Sequence, residues 1–307
     1  MLSFVLKKFF SLIPALIGLF ILTFMLIYLT PGDPVDALLG DFALPADKEK
    51  MREAMGLTRP AHVQLWMSFK GVLSGDLGTS FKTGEPVAAV IGSRLPSTIL
   101  LGFGALAFAV PLGFLLGFLA ASHKMGFLDK FSKFYITAAF CMPSFWFGPI
   151  LILVFSVWWP LFPLGGQDGF SSLILPSITL GLGMSAVLTK LVRDSILETG
   201  NAAYVKLARS KGLSEDDILT KHVWPNVRIP IFTMVFLQMG ALLTGAILTE
   251  AIFQWPGVGS LLIESIHSRD YPTLQGCVLF VGFVYMFMNF LSDIVAALLD
   301  PRILKGE

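Results

Sequence analysis

The sequence predicts an all-α polytopic membrane protein with about six transmembrane helices, and three observations carry that prediction. Hydrophobic residues make up 55% of the 307 residues, charged residues only 14%, and mean hydropathy is +0.76, more apolar than a soluble core of this length requires. The apolar residues gather in runs of about 20, the length that crosses the hydrocarbon of a bilayer. The alternation of barrel strands is missing, and lipid offers no partner to a free backbone amide, so each run must be helical.

Taken in order, the runs are Phe9–Leu29, Thr98–Ala121, Phe134–Trp158, Leu173–Leu191, Ile229–Leu248 and Leu274–Leu298. The first follows Lys7 and Lys8, as a signal peptide would, but it exceeds 20 apolar residues and no small-x-small cleavage pattern follows. It is expected to be a retained signal anchor over 1–30, with its amino terminus inside. The segment 31–96 is too polar to lie in lipid and is placed outside. Within it, Val63, Trp66, Phe69 and Leu73 recur at helical spacing over 62–73. Such a helix either rests at the interface with Trp66 at headgroup level or packs on its own bundle.

The other five runs form a core over 97–298, with a cytoplasmic loop at 194–228 and a cytoplasmic tail at 299–307. Pro14, Pro111, Pro143, Pro149 and Pro176 fall inside runs and are expected to bend helices without breaking them. Gly113 and Gly117 give the second run a small-xxx-small face for close approach, within the chain or to another subunit.

Both termini inside puts 14 of the 22 lysines and arginines on the cytoplasmic side. The long 31–95 segment holds 7 of the other 8, and long loops translocate regardless of charge, so the short loops decide the orientation. A net charge of +1 says nothing about nucleic acid, but no basic stripe interleaved with aromatics appears, and no nucleic-acid partner is expected. Cys141 and Cys277 both lie inside runs, where core packing is expected and a disulfide framework is not.

Catalytic chemistry is missing. No Gly-Lys dipeptide exists to end a P-loop, His-Glu-x-x-His is absent, and His62, His123, His222 and His267 fall on separate loops. No catalytic residue, metal site or cofactor is expected in this chain. The centres of the runs are nearly free of charge. Asp293 with Asn289, and Lys190 with Arg193, lie toward helix ends, where pairing or snorkelling is favoured over a proton relay. Energy for any transport is therefore expected from a separate chain.

Lys206 to Asn226 is a polar, helix-forming insert between two apolar runs, shaped to be gripped from outside the bilayer or, alternatively, a solvated connector. Ser214, Glu215, Asp216 and Asp217 form a capping-box pattern whose acids suit the positive end of a helix dipole. Gly212 supplies a turn before it, Lys221 and His222 suit its carboxyl end, and Pro225 is expected to stop it running into the next span. A helix of about seven residues would be roughly 10 Å long, a compact knob for a partner's groove.

This run resembles the cytoplasmic "EAA" loop of permease subunits of binding-protein-dependent ABC importers. A small-residue turn, Gly212 and, thirteen residues later, Pro225 frame the helix that docks on the ATPase in that family. Ala208, Arg209, Ser210, Lys211, Gly212 and Leu213 are similar to the dipeptide/oligopeptide/nickel branch, although Lys206 stands where glutamate is usual and His222 where isoleucine is. The resemblance extends in order through Pro-Gly-Asp-Pro (31–34), Gly-Leu-Thr-Arg-Pro (56–60), Gly-Asp-Leu-Gly-Thr-Ser (75–80), Trp-Pro-Gly-Val-Gly (255–259), Arg-Asp-Tyr-Pro (269–272) and Asp-Pro-Arg-Ile (300–303).

The resemblance implies the type I ABC importer transmembrane fold in a bacterial inner membrane. It also implies a second permease subunit, two ABC ATPases that bind the ATP and Mg, and an extracytoplasmic substrate-binding protein. Coupling to the ATPase would fall to Ala208, Arg209, Lys211, Gly212, Leu213, Ser214, Glu215, Asp216, Asp217, His222, Pro225 and Asn226. Short peptides are the implied substrates, with nickel chelates or another small solute as alternatives, and an ion-coupled secondary transporter is the less favoured class. Beyond the fifth run, Pro256, Gly257 and Gly259 predict a tight turn, with Glu250, Phe253 and Trp255 ahead of it. That turn is either a lid at the outer end of a translocation path or a link between packed helices.

Overall fold

The computed structural model describes residues 2–29, 34–40 and 43–299. The motifs at 31–33 and 300–303 lie outside those residues. Among the described residues there is no β-strand, only an isolated bridge between Thr79 and Pro86.

A long first helix, α1 (Leu2–Leu29), precedes three short outer ones, α2 (Pro34–Leu39), α3 (Pro45–Ala54) and α4 (Ala61–Leu73). The core follows with α5 (Val87–Ser122), α6 (Phe127–Cys141), α7 (Ser144–Ile152) and α8 (Phe170–Gly200). Next come α9 (Ala203–Ser210), α10 (Glu215–Ile218), α11 (Trp224–Ile252), α12 (Val258–His267) and α13 (Tyr271–Leu299). Among the described residues four helices are long and apolar enough to cross a membrane, and the total is up to six when each of two bent pairs counts as one span.

The bundle is built on the α5 and α8 pair, which lies closer than ordinary side chains allow. A Cβ at Gly113 would stand 2.6 Å from Leu188 Cβ and 2.9 Å from the Ser185 carbonyl, and one at Gly117 would stand 2.7 Å from the Thr189 carbonyl. The small-residue face of α5 is thus spent inside the chain. In lipid, where apolar surface gains nothing by leaving the solvent, such close backbone approach is what holds helices together. Leu101, Ala105, Leu180, Leu242 and Trp255 pack around this seam with α11. At the edge, α1 meets α13 through Phe9 on Phe290, 6.2 Å between ring centres, and through a Lys8–Asp293 pair at 2.8 Å. Asp293 is thereby an end-of-helix ion pair.

Four expectations are corrected. The third run is broken: α6 and α7 meet at 100°, because Pro143 forces Met142 out of the helical region to φ −95°, ψ 109°. The helix α5 begins at Val87, eleven residues before the predicted run at Thr98, so Pro96 sits inside a helix. Cys277 is buried as expected, but Cys141 is exposed. The run around Cys141 is apolar on every side, so its sequence does not mark which face turns inward.

The fourth correction concerns Pro225. It does not end the short helix: α10 passes through a π-helical turn at Leu219–Val223 directly into α11. The Trp224 amide bonds to the Leu219 carbonyl, and the register slips so that Pro225, which has no N–H to donate, falls in the first turn of α11.

The predicted amphipathic helix is α4. Its Phe69 lies 5.4 Å from Phe20 of α1 while Trp66 remains 65% exposed, so the helix packs on its own bundle and still presents an aromatic outward. Two motifs far apart in sequence meet in space: Ser80 donates to Asp270 at 2.5 Å, and the Phe81 amide donates to the same carboxylate at 3.0 Å.

Candidate functional site

The segment from α9 to the start of α11 has a dry inner face. Val205 and Ala208 of α9, Ile218 of α10, Val223 of the π-turn and Val227 of α11 join Val192 of α8 in one apolar cluster. Leu213 packs against it, half-buried. The periodicity that produces this is short: Val205 and Ala208 are three apart on one face of α9, and Ile218 and Val223 close over them.

The outer face is polar and tied together. Arg209 and Glu215 form a fork, Nε to Oε1 at 2.6 Å and Nη2 to Oε2 at 2.9 Å, which joins α9 to α10 across the turn. The turn between them needs Gly212, whose φ is +82°. Arg209 draws the Glu215 carboxyl below its ordinary range, and Lys221 with the Ser214 hydroxyl does the same for Asp217.

Ser214 caps α10 as its pattern predicts, accepting from the Asp217 amide at 3.2 Å. The return bond differs from the usual box: the Asp217 carboxylate accepts from the Ser214 hydroxyl at 2.9 Å. Lys221 pairs with Asp217 at 2.5 Å. Asn226 donates to Tyr204 Oη at 3.2 Å and to the His222 carbonyl at 2.8 Å, while Asp216 and Lys211 face outward.

Every residue expected in this segment is therefore brought onto one folded projection. Tyr204 and Leu207, 47% and 56% exposed, were missed. They are three apart and exposed on α9, and that spacing beside the buried Val205 and Ala208 is the signal that would have found them.

The outer turn is packed inside the molecule. Glu250 and Trp255 are fully buried and Phe253 is 1% exposed. Thr98 of α5 donates to Glu250 Oε1 at 2.7 Å and accepts from the Val258 amide at 2.8 Å. The Ser260 amide donates to Glu250 Oε2 at 3.0 Å, and Trp255 Nε1 donates to the Ser97 carbonyl at 2.8 Å. Gly257 is needed for room, since a Cβ there would overlap the Glu250 carboxylate, and one at Gly259 would meet Ile247 Cα at 2.5 Å. Pro256 follows Trp255 in the turn, half-buried. The whole is a clasp that fastens α5, α11 and α12 to one another.

The sequence also carried no sign of a buried carboxylate at Asp129. Asp129, at the start of α6, is fully buried and accepts from Arg193 Nε at 2.6 Å, Lys133 Nζ at 3.0 Å and the Met125 amide at 3.1 Å. It fastens α6 to α8.

What the bundle and its cytoplasmic projection define is a membrane-embedded transport subunit rather than an enzyme. The chain belongs to the family described as binding-protein-dependent transport system inner membrane component, whose model matches residues 113–305. The companion model for the N-terminal part of such membrane components matches residues 1–102. Over 303 residues, 99% of both chains, it is 36% identical to the glutathione transport system permease protein GsiC of Salmonella typhimurium. It is 35% identical over the same length to the protein of that name from Escherichia coli K12. The fold is accordingly that of the permease subunit of an ABC importer in the bacterial inner membrane, and such subunits are not catalytic.

Proposed function

We propose that this chain forms half of the translocation path of an ATP-driven importer for short peptides. A binding protein delivers the peptide from outside, a second permease supplies the other half of the path, and two ATPase chains hold the ATP and Mg. The observation that carries the reading is the folded projection at 203–226, polar and apolar-tipped outside, continuous with the bundle inside. A peptide substrate is supported by relatives named for the transport of glutathione, itself a tripeptide.

In this reading an ATPase seats α9 and α10 in a groove, with the exposed Tyr204 and Leu207 as apolar contacts. Closure of the two ATPases displaces the projection. Because Ile218, Val223 and Val205 pack on Val192 and Val227, the displacement passes to α8 and α11 without a slack loop between. The path then alternates its access from outside to inside. The outer clasp is the fixed rim of the outer gate, fastened by Glu250.

The test is uptake into vesicles holding the chain with its companion permease, ATPases and binding protein. Labelled di- and tripeptides are expected to accumulate with ATP, nickel chelates are not, and collapse of the proton gradient is expected to have no effect. Accumulation that survives ATP depletion and fails with the gradient would make the chain a secondary transporter instead.

A further inference from the structure

Where α6 breaks, a cleft of about 260 Å³ opens toward α8 and α11, and no residue lining it carries a formal charge. A broken helix inside a membrane leaves backbone groups that lipid cannot satisfy, so such breaks persist where they line a cavity. Met142 and Ser144 flank the break, Thr179 and Met184 line the cleft from α8, and Gln238 enters it from the middle of α11. Gln238 is 8% exposed, and its Oε1 has no partner among the described residues. Its Nε2 reaches only the Met184 carbonyl at 3.4 Å, longer than an ordinary N–H···O bond. Turned the other way, the carboxamide would set its oxygen against the Met184 carbonyl, so neither orientation pairs both ends. A polar group held like this at membrane depth marks a substrate pathway more readily than a packing contact.

We infer that Gln238 is a substrate-contacting residue, its carboxamide pairing with a backbone amide of the passing peptide while Met142 and Met184 adapt to the side chains. A carboxamide offers one donor and one acceptor in the spacing that a peptide bond complements, and it recognises that group whatever side chains flank it. The two methionines, unbranched and polarisable, suit a passage that must accept different peptides. Gly183 also lines the cleft, and a Cβ there would meet nothing within 4 Å, so it leaves free space where a side chain would stand.

This inference rests on the peptide reading, and the experiment separates the two. The complete importer is reconstituted in proteoliposomes, and uptake of trialanine is compared with that of its backbone N-methylated form, each presented on saturating binding protein. ATP hydrolysis is followed in parallel. The unaltered importer is expected to carry trialanine roughly tenfold faster, the value of one or two hydrogen bonds. Gln238→Leu is expected to lower trialanine uptake to the N-methylated rate while ATP hydrolysis is unchanged. Gly183→Leu is expected to block both peptides by filling the cleft, again without loss of hydrolysis.

If the unaltered importer carries no peptide, the peptide reading fails and this inference with it. Should trialanine be carried but Gln238→Leu match the unaltered protein, only the inference fails. Parallel loss of uptake and hydrolysis in Gln238→Leu assigns the residue to the fold and overturns the inference. Undiminished uptake by Gly183→Leu removes the cleft from the path and does the same.

Discussion

Replacing Gly212 isolates one physical term. Its backbone sits at φ +82°, and a Cβ would meet nothing within 4 Å, so the first carbon of a substituent strains the backbone without a clash. Holding an ordinary residue in the left-handed region costs about 1–2 kcal/mol, which corresponds to a factor of roughly 5–30 in a two-state population. Asparagine tolerates that region through its short polar side chain, whereas a β-branched residue there is an outlier. If the proposed ATPase docking requires the turn that joins α9 to α10, apparent affinity falls by the competent fraction. The expected order is Gly212, then Gly212→Asn close to it, Gly212→Ala weaker by up to about 30-fold, and Gly212→Val weakest. Binding of purified ATPase to the permease pair in nanodiscs measures it, with ATP-driven uptake following the same order. Equal losses for Asn and Val would mean that bulk against the partner, not backbone strain, decides the effect, and the reasoning would be wrong.

Two other perturbations test neighbouring claims. Thr98→Val removes a hydroxyl that donates to Glu250 Oε1 and accepts from the Val258 amide, leaving two buried groups unpaired. A loss of about 1–3 kcal/mol is expected, seen as a lower unfolding temperature in detergent that Thr98→Ser restores, and an unmoved transition would dismiss the clasp. Arg209 holds Glu215 below its ordinary 4.5, so their pairing is complete above that value and is lost as pH falls through the lowered one. Arg209→Gln is expected to raise the Glu215 titration toward 4.5, followed by carbon-13 NMR of the carboxylates, and no movement would count against the pair.

The bundle and the folded projection at 203–226 were legible for different reasons. Span existence follows from summed hydropathy over about 20 residues, a signal too large for any one residue to hide. Ser214 and Gly212 were legible because a cap and a left-handed turn demand particular residue types. What failed was direction within uniformly apolar runs. Cys141 and the break at Pro143 lie where every face is greasy, so neither burial nor the depth of a kink leaves a mark on the sequence. The continuity of α10 with α11 was hidden because a proline usually ends a helix, and the π-turn that accommodates it has no signature of its own. Asp129 with Arg193, Ser80 with Asp270 and Thr98 with Glu250 all pair residues far apart in the chain, which one sequence does not join.

Helix α11 gives these separate findings a common frame. At its inner end it continues α10 through the π-turn, and between Leu242 and Gly245 it bends by 52°. Midway it carries Gln238 into the cleft, and at its outer end Glu250 fastens it to α5 and α12. The second wall of the cleft, α8, also runs from the cytoplasmic cluster at Val192 to Thr179 and Met184. The third, α6, is fastened to α8 by Asp129 and Arg193. On the proposed reading, a displacement of the projection therefore reaches all three walls through packed helix or ion pair, while the clasp holds the outer end of α11 still. The inner part of α11, pushed at the projection and held beyond its bend, swings most at the pushed end. The cleft would widen from the cytoplasmic side while its outer rim kept its width, which is the motion that releases a peptide inward.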